Sequence, residues 1–150
     1  MIIWLTGQPG HGKTTLAKIF KEYLENNYSH KKIMHIDGDD LREIFNNKDF
    51  SKEGRIKNLS KACDIGYYLT STGIKTNVIY SMVFPYLEVR DYLRSLMPEA
   101  KFICLSYNNP RGRENFHVAD FELAESEDCT YINTDTLSIE DTVKLIKEQL

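Results

Sequence analysis

Short apolar runs separated by longer stretches with a helical repeat organise this 150-residue chain. The runs lie at 2–6, 32–36, 75–80, 101–105 and 130–132 and are rich in Ile, Val, Phe or Tyr. They are largely continuous rather than alternating, as expected of strands buried on both faces. Between them Leu16, Ile19, Phe20, Tyr23 and Leu24 recur on one helical face, as do Ile56, Leu59, Cys63, Gly66 and Tyr67. Val89, Leu93 and Leu96 mark another helix, and Ile139, Val143 and Ile146 a last one. Alternation of strand and helix predicts an α/β fold, a parallel sheet covered on both sides. Ligands of such sheets gather at the carboxyl ends of the strands.

Composition narrows the picture. The length fits one domain over 1–150, and 41% hydrophobic with 27% charged residues is ordinary for a globular protein. A net charge of −3 argues against nucleic-acid binding, which needs a broad basic surface. No apolar run approaches the ~18 residues of a membrane span, and the first residues lack a basic leader. The expected location is cytoplasmic, with no membrane partner. Cys63, Cys104 and Cys129 are odd in number and widely spaced, which predicts reduced thiols in or near the core. No Cys/His spacing suggests zinc.

The first strand runs into "GQPGHGKTT". Gly7, Gly12, Lys13 and Thr14 satisfy the G-x-x-x-x-G-K-[ST] pattern of a phosphate-binding loop. Its place between a strand and a helix adds to the specificity of the match. Glycines let the backbone bring its N–H groups close to an anion, and the helix that follows contributes its positive end. The loop is therefore expected to bind ATP through Gly7, Gln8, Pro9, Gly10, His11, Gly12, Lys13, Thr14 and Thr15. Lys13 reaches the β- and γ-phosphates in such loops, and the Thr14 hydroxyl holds Mg²⁺. A plain glycine-rich turn with a solvated lysine is the bland alternative.

"HIDGDDLR" places Asp37, Asp39 and Asp40 just past the second strand, at the edge where the phosphates should lie. Asp37 is a candidate for supporting Mg²⁺ and Asp39 for orienting an attacking hydroxyl, with Gly38 letting the chain turn between them. Asp is also favoured at helix starts, the role expected of Asp40. A carboxylate beside Mg²⁺ and Arg42 is stabilised in its charged form and is a weak base. Asp39 thus suits alignment of an acceptor hydroxyl, which phosphoryl transfer with its loose transition state requires.

"GQPGHGKTT", "IDGDDLR", "FSKEGRIKNL", "FPYLEVRDYLRSL" and "NFHVADFE…INTDTLSIEDTVKLI" occur in the order of the motifs of adenylyl-sulfate kinases, and the chain resembles that family over nearly its whole length. The resemblance implies a P-loop NTPase/kinase fold, a five-stranded parallel sheet of order 2-3-1-4-5. It also implies transfer of the γ-phosphate of ATP, with Mg²⁺, to the 3′-hydroxyl of adenylyl sulfate in sulfate assimilation. Asp39 then matches the catalytic aspartate, acting with Lys13. Arg42, Arg55 and Asn58 match residues that grip the acceptor's phosphosulfate, and Phe50 and Phe116 the aromatic pair that sandwiches its base. By sequence alone Arg42 and Arg55 also read as solvated helix residues, and Phe50 and Phe116 more readily as core. The family is commonly dimeric, so a homodimer is a candidate assembly, although no exposed apolar stripe marks an interface.

The departures concern the acceptor. Asp40 stands where the family has Asn, and Ser60-Lys61 where it tends to carry two arginines. Phe84 replaces a serine and Leu87 an arginine, and the basic lid shrinks to "NNPRGRENF", leaving Arg111 and Arg113 as lid charges. Lys61, Arg90 or Arg113 is expected to compensate, unless the acceptor differs. A related kinase acting on a nucleotide anhydride such as cytidine diphosphoramidate, in building surface polysaccharides, is the second reading. A nucleotide-binding switch without transfer is the third.

Overall fold

The computed structural model describes residues 1–28, 32–72, 76–108, 112–123, 125 and 129–149. Five parallel strands form one sheet of order β2-β3-β1-β4-β5: β1 Ile2–Thr6, β2 Ile33–Asp37, β3 Asn77–Ser81, β4 Lys101–Ser106 and β5 Thr130–Asn133. This is the expected class and strand order. The apolar runs fall within a residue or two of these bounds, and position 75 lies outside the described residues. Strands 2 to 5 each extend one residue beyond the apolar run, because the ladder continues into polar residues at the carboxyl ends.

Helices α1 Lys13–Asn27, α2 Gly38–Ile44, α3 Lys52–Ser71, α4 Leu87–Leu96 and α5 Ile139–Glu148 complete the layers. Successive side chains of a strand point to opposite faces, and β1 divides accordingly. Ile3 and Leu5 join Leu16, Phe20 and Leu24 of α1 and Val143 and Ile146 of α5. Ile2 and Trp4 face the other way, with Leu59, Ala62 and Cys63 of α3 and Val89 and Leu93 of α4. Trp4 stacks on Tyr80 at 4.1 Å and on Phe84 at 3.9 Å between ring centroids. Gly66 lets α3 approach β3, since a Cβ there would sit 1.4 Å from the Tyr80 hydroxyl.

All three cysteines are free and buried, as expected. Tyr67, assigned to the inner face of its helix, is instead 45% exposed. Among the described residues no helix is long and apolar enough to cross a membrane.

Candidate functional site

The loop between β1 and α1 lies at the carboxyl edge of the sheet. Gly7 has φ 131°, and a Cβ there would come within 2.3 Å of the Leu105 carbonyl oxygen on β4, so only glycine lets the loop pack this closely. Gly12, with φ 78°, starts α1, and no side chain caps that helix. By contrast, the carboxyl or hydroxyl groups of Asp37, Ser51 and Ser138 cap α2, α3 and α5. Uncapped first-turn N–H groups at a glycine loop are suited to an anion.

Lys13 is buried, and its Nζ donates to the Gln8 carbonyl at 2.8 Å. Burial pulls its ammonium down to about 8, while the charges of Asp37 and Asp39 hold it up. An ammonium kept in place at that cost awaits a negative partner.

Asp37 joins three elements. Its Oδ2 accepts from Thr14 Oγ1 at 2.7 Å and from Ser81 Oγ at 2.5 Å, and its Oδ1 accepts from the Asp39 N–H at 2.9 Å. Burial pushes this carboxyl up, yet the hydrogen bonds from Ser81 and Thr14 outweigh it, and it lies below its ordinary value. His35 Nε2 sits 2.7 Å from Ser81 Oγ. Because that hydroxyl donates to Asp37, Nε2 carries the proton and donates. Thr14, Asp37 and Ser81 present only oxygen atoms, the donor set suited to Mg²⁺.

Two details differ from expectation here. Asp37, not Asp40, caps α2, because its side chain is the one that reaches back to an N–H of the first turn; Asp40 lies in that turn. Gly38 is needed for space rather than for a turn: it lacks a positive φ, and a Cβ would press on Met82 Cγ at 3.2 Å.

Asp39 is exposed on the first turn of α2. Its charge acts on both Lys13 and Arg42. Arg42 donates to the Asp49 carbonyl at 2.7 Å and lies 4.2 Å from the centroid of Phe50. Arg55 donates to the Phe50 carbonyl at 2.9 Å and lies 5.7 Å from the same ring. Phe50 is 60% exposed and Phe116 66% exposed, so neither is core. They do not touch each other among the described residues. Asn58 is buried, its Nδ2 on the Gly38 carbonyl at 3.4 Å and its Oδ1 without a partner.

The lid region is described only in part. Arg111 lies outside the described residues, and Arg113 is exposed just before a 3₁₀ turn, Glu114–Phe116. Of the candidate compensating cations, Arg90 is ruled out by burial. It is 2% exposed and binds the carbonyls of Phe84 and Glu122. Lys61 lies over the Phe45 ring at 4.0 Å. Phe84 is buried in the Trp4 stack.

Sequence reasoning missed a second part of the site. A cavity of about 240 Å³ opens beside the loop, lined by His11, Thr15, Tyr107, Asp135, Leu137 and Ile139 among others. It continues from the phosphate loop and is apolar enough for a nucleoside. Ile139, 53% exposed, belongs to this wall rather than to the core. The signal lay in the strand order: β4 lies beside β1 and β5 beside β4, so "NTDTLSI" after β5 emerges at the same sheet edge as the loop. Ser81 was legible in the same way, since it pairs in register with Asp37.

Sheet order and loop together define a nucleotide-binding domain of the P-loop kinase type. The sequence profile described as adenylylsulphate kinase matches residues 1–114, and the chain belongs to that family. The cytidine diphosphoramidate kinase of Campylobacter jejuni is 37% identical over 93 residues, which is 62% of this chain and 52% of that protein. The adenylyl-sulfate kinase of Oceanobacillus iheyensis is 31% identical over 103 residues, 68% of this chain and 50% of its own. The Mycobacterium tuberculosis APS kinase CysC, solved in complex with AMPPNP and APS, superimposes with a TM-score of 0.80. It is 17% identical and covered to 95%, against 99% of this chain, so this likeness speaks to the fold. The chain spans about half the length of the curated relatives it matches.

Proposed function

We propose that residues 1–150 act as one kinase domain that transfers the γ-phosphate of ATP to the 3′-hydroxyl of a nucleotide anhydride, with adenylyl sulfate as the acceptor. The observation that carries the reading is the meeting, at one sheet edge, of the Lys13 loop and the Asp37–Asp39 turn beside the Arg42–Phe50–Arg55 cluster. The adenosine of ATP takes the cavity beside His11, and its phosphates take the N–H groups of the loop and first turn of α1. Thr14 and Asp37 would hold Mg²⁺, which when bound neutralises phosphate charge. Lys13 exchanges the Gln8 carbonyl for phosphate oxygens and stabilises the charge that develops there. Asp39 orients the acceptor hydroxyl. Arg42 and Arg55 offer planar forks to the acceptor's anionic groups, and Phe50 offers a face to its base.

A second acceptor, cytidine diphosphoramidate, is favoured by the 37% identical relative and by Leu87 in place of a guanidinium. Incubating the pure protein with ATP, Mg²⁺ and each acceptor separately, with 3′-phosphorylated product measured, tests both. Turnover of adenylyl sulfate, suppressed about a hundredfold or more in Asp39→Asn with ATP binding kept, is the expected result. Turnover of cytidine diphosphoramidate alone replaces the acceptor. ATP binding with transfer to neither overturns the kinase reading in favour of a nucleotide-dependent switch.

A further inference from the structure

The strap that carries Phe116 is hydrogen-bonded to the phosphate loop through Gln8. The Gln8 side-chain amide pairs with the Val118 peptide in both directions: Nε2 donates to the Val118 carbonyl at 2.9 Å, and the Val118 N–H donates to Oε1 at 2.8 Å. Beside it, His117 meets the edge of His11 at 5.8 Å between centroids. Val118 is buried, whereas residues 112–117 are exposed, so the pairing lies where the strap first reaches the body of the protein. The carbonyl of the same Gln8 receives Lys13 Nζ. One residue therefore touches the phosphate-binding ammonium through its main chain and the Phe116 strap through its side chain. Two antiparallel hydrogen bonds fix orientation as well as distance.

We propose that Gln8 is a positioning residue: it sets where Phe116 meets the acceptor and couples that placement to the state of the phosphate loop. The proposal rests on the kinase reading in taking the acceptor to be a nucleotide whose base stacks on Phe116. Beyond Val118 the strap is held to α4 and the segment before it, through Asp120 and Glu122, so the Gln8 pairing is its tie to the phosphate loop. The side chain that performs it belongs to the donor loop, so donor and acceptor sites share it.

Gln8→Leu keeps the size of the side chain and removes both hydrogen bonds. With whichever of adenylyl sulfate and cytidine diphosphoramidate the wild type turns over, the acceptor KM should rise roughly tenfold, the worth of one or two ordinary hydrogen bonds. ATP affinity should fall by less than that of the acceptor, because the Gln8 main chain that receives Lys13 is kept, and Tm should stay close to wild type. Gln8→Met, unbranched and likewise without the two amide hydrogen bonds, should behave as Gln8→Leu does. Combined with Phe116→Leu, the losses should not add, because both act on one contact. Independently of turnover, hydrogen exchange at the Val118 amide should be faster in Gln8→Leu. A non-hydrolysable ATP analogue should alter that exchange in the wild type but not in the variant. Unchanged acceptor KM together with unchanged Val118 exchange overturns the proposal, as does an ATP affinity that falls as far as that of the acceptor. If the wild type transfers phosphate to neither nucleotide, the kinase reading fails and the exchange measurement alone judges Gln8. If Gln8→Leu does not fold, Gln8→Met carries the same comparison.

Discussion

The proposed donor and acceptor halves of the site prepare for anions by different means. On the donor side the groups are main-chain N–H, set by glycine geometry at Gly7 and Gly12 and by a helix start that no side chain caps. On the acceptor side they are guanidinium groups, which in the structure hold the carbonyls of Asp49 and Phe50 and lie against the Phe50 ring. A nucleotide entering there competes with those internal contacts, whereas in the loop the Gln8 carbonyl that receives Lys13 and the His11 N–H is the main internal competitor for phosphates. The donor half is therefore closer to preformed. Its backbone cannot be altered by point substitution without altering the fold, so its functional lesions concentrate in Lys13. Lesions on the acceptor side should appear as lost affinity, one side chain at a time.

The largest effect is expected from Lys13→Ala. Removing a charge directed at the transferred phosphate should lower kcat by about a thousandfold, with little change in Tm. Near-normal turnover would erase the distinction between the halves, since the backbone alone would then suffice. Next comes Arg55→Ala. A charge-assisted hydrogen bond to the acceptor is worth about 1.5–3 kcal/mol, or one to two decades of affinity. The existing bond to Phe50 offsets part of it, so the acceptor KM should rise about tenfold with ATP affinity unchanged. A parallel loss of ATP affinity would show that the halves are not separable. The smallest effect belongs to Leu137→Ala in the wall of the cavity beside His11. Loss of apolar contact at about 0.8 kcal/mol per buried CH₂, on a side chain only partly buried, should weaken ATP binding several-fold. Calorimetry that shows no change would place the nucleoside elsewhere.

The fold was legible because its signals are local. Two-sided burial leaves unbroken apolar runs, and a glycine loop between such a run and a helix has few other uses. The site was legible where one motif contains all its parts, as in Gly7 to Thr15. It was obscure where a residue acquires its setting from partners far along the chain. Arg90 reads as a surface cation of α4 until Phe84 and Glu122, six and thirty-two residues away, are brought onto it. Gln8 reads as one ATP-binding position among nine in the loop, and only the pairing with Val118, 110 residues on, shows what its side chain holds.

Trp4 is the only tryptophan in the chain and is wholly buried beside two stacked rings. Its emission is therefore that of a shielded indole, blue of the value in water, and shifts to the red when the sheet comes apart. Trp4 lies on the face of β1 away from α1, packed with residues of α2, α3 and α4, so the signal records whether these layers are assembled. The protein thus contains its own optical gauge of integrity, against which every variant can be checked without a label.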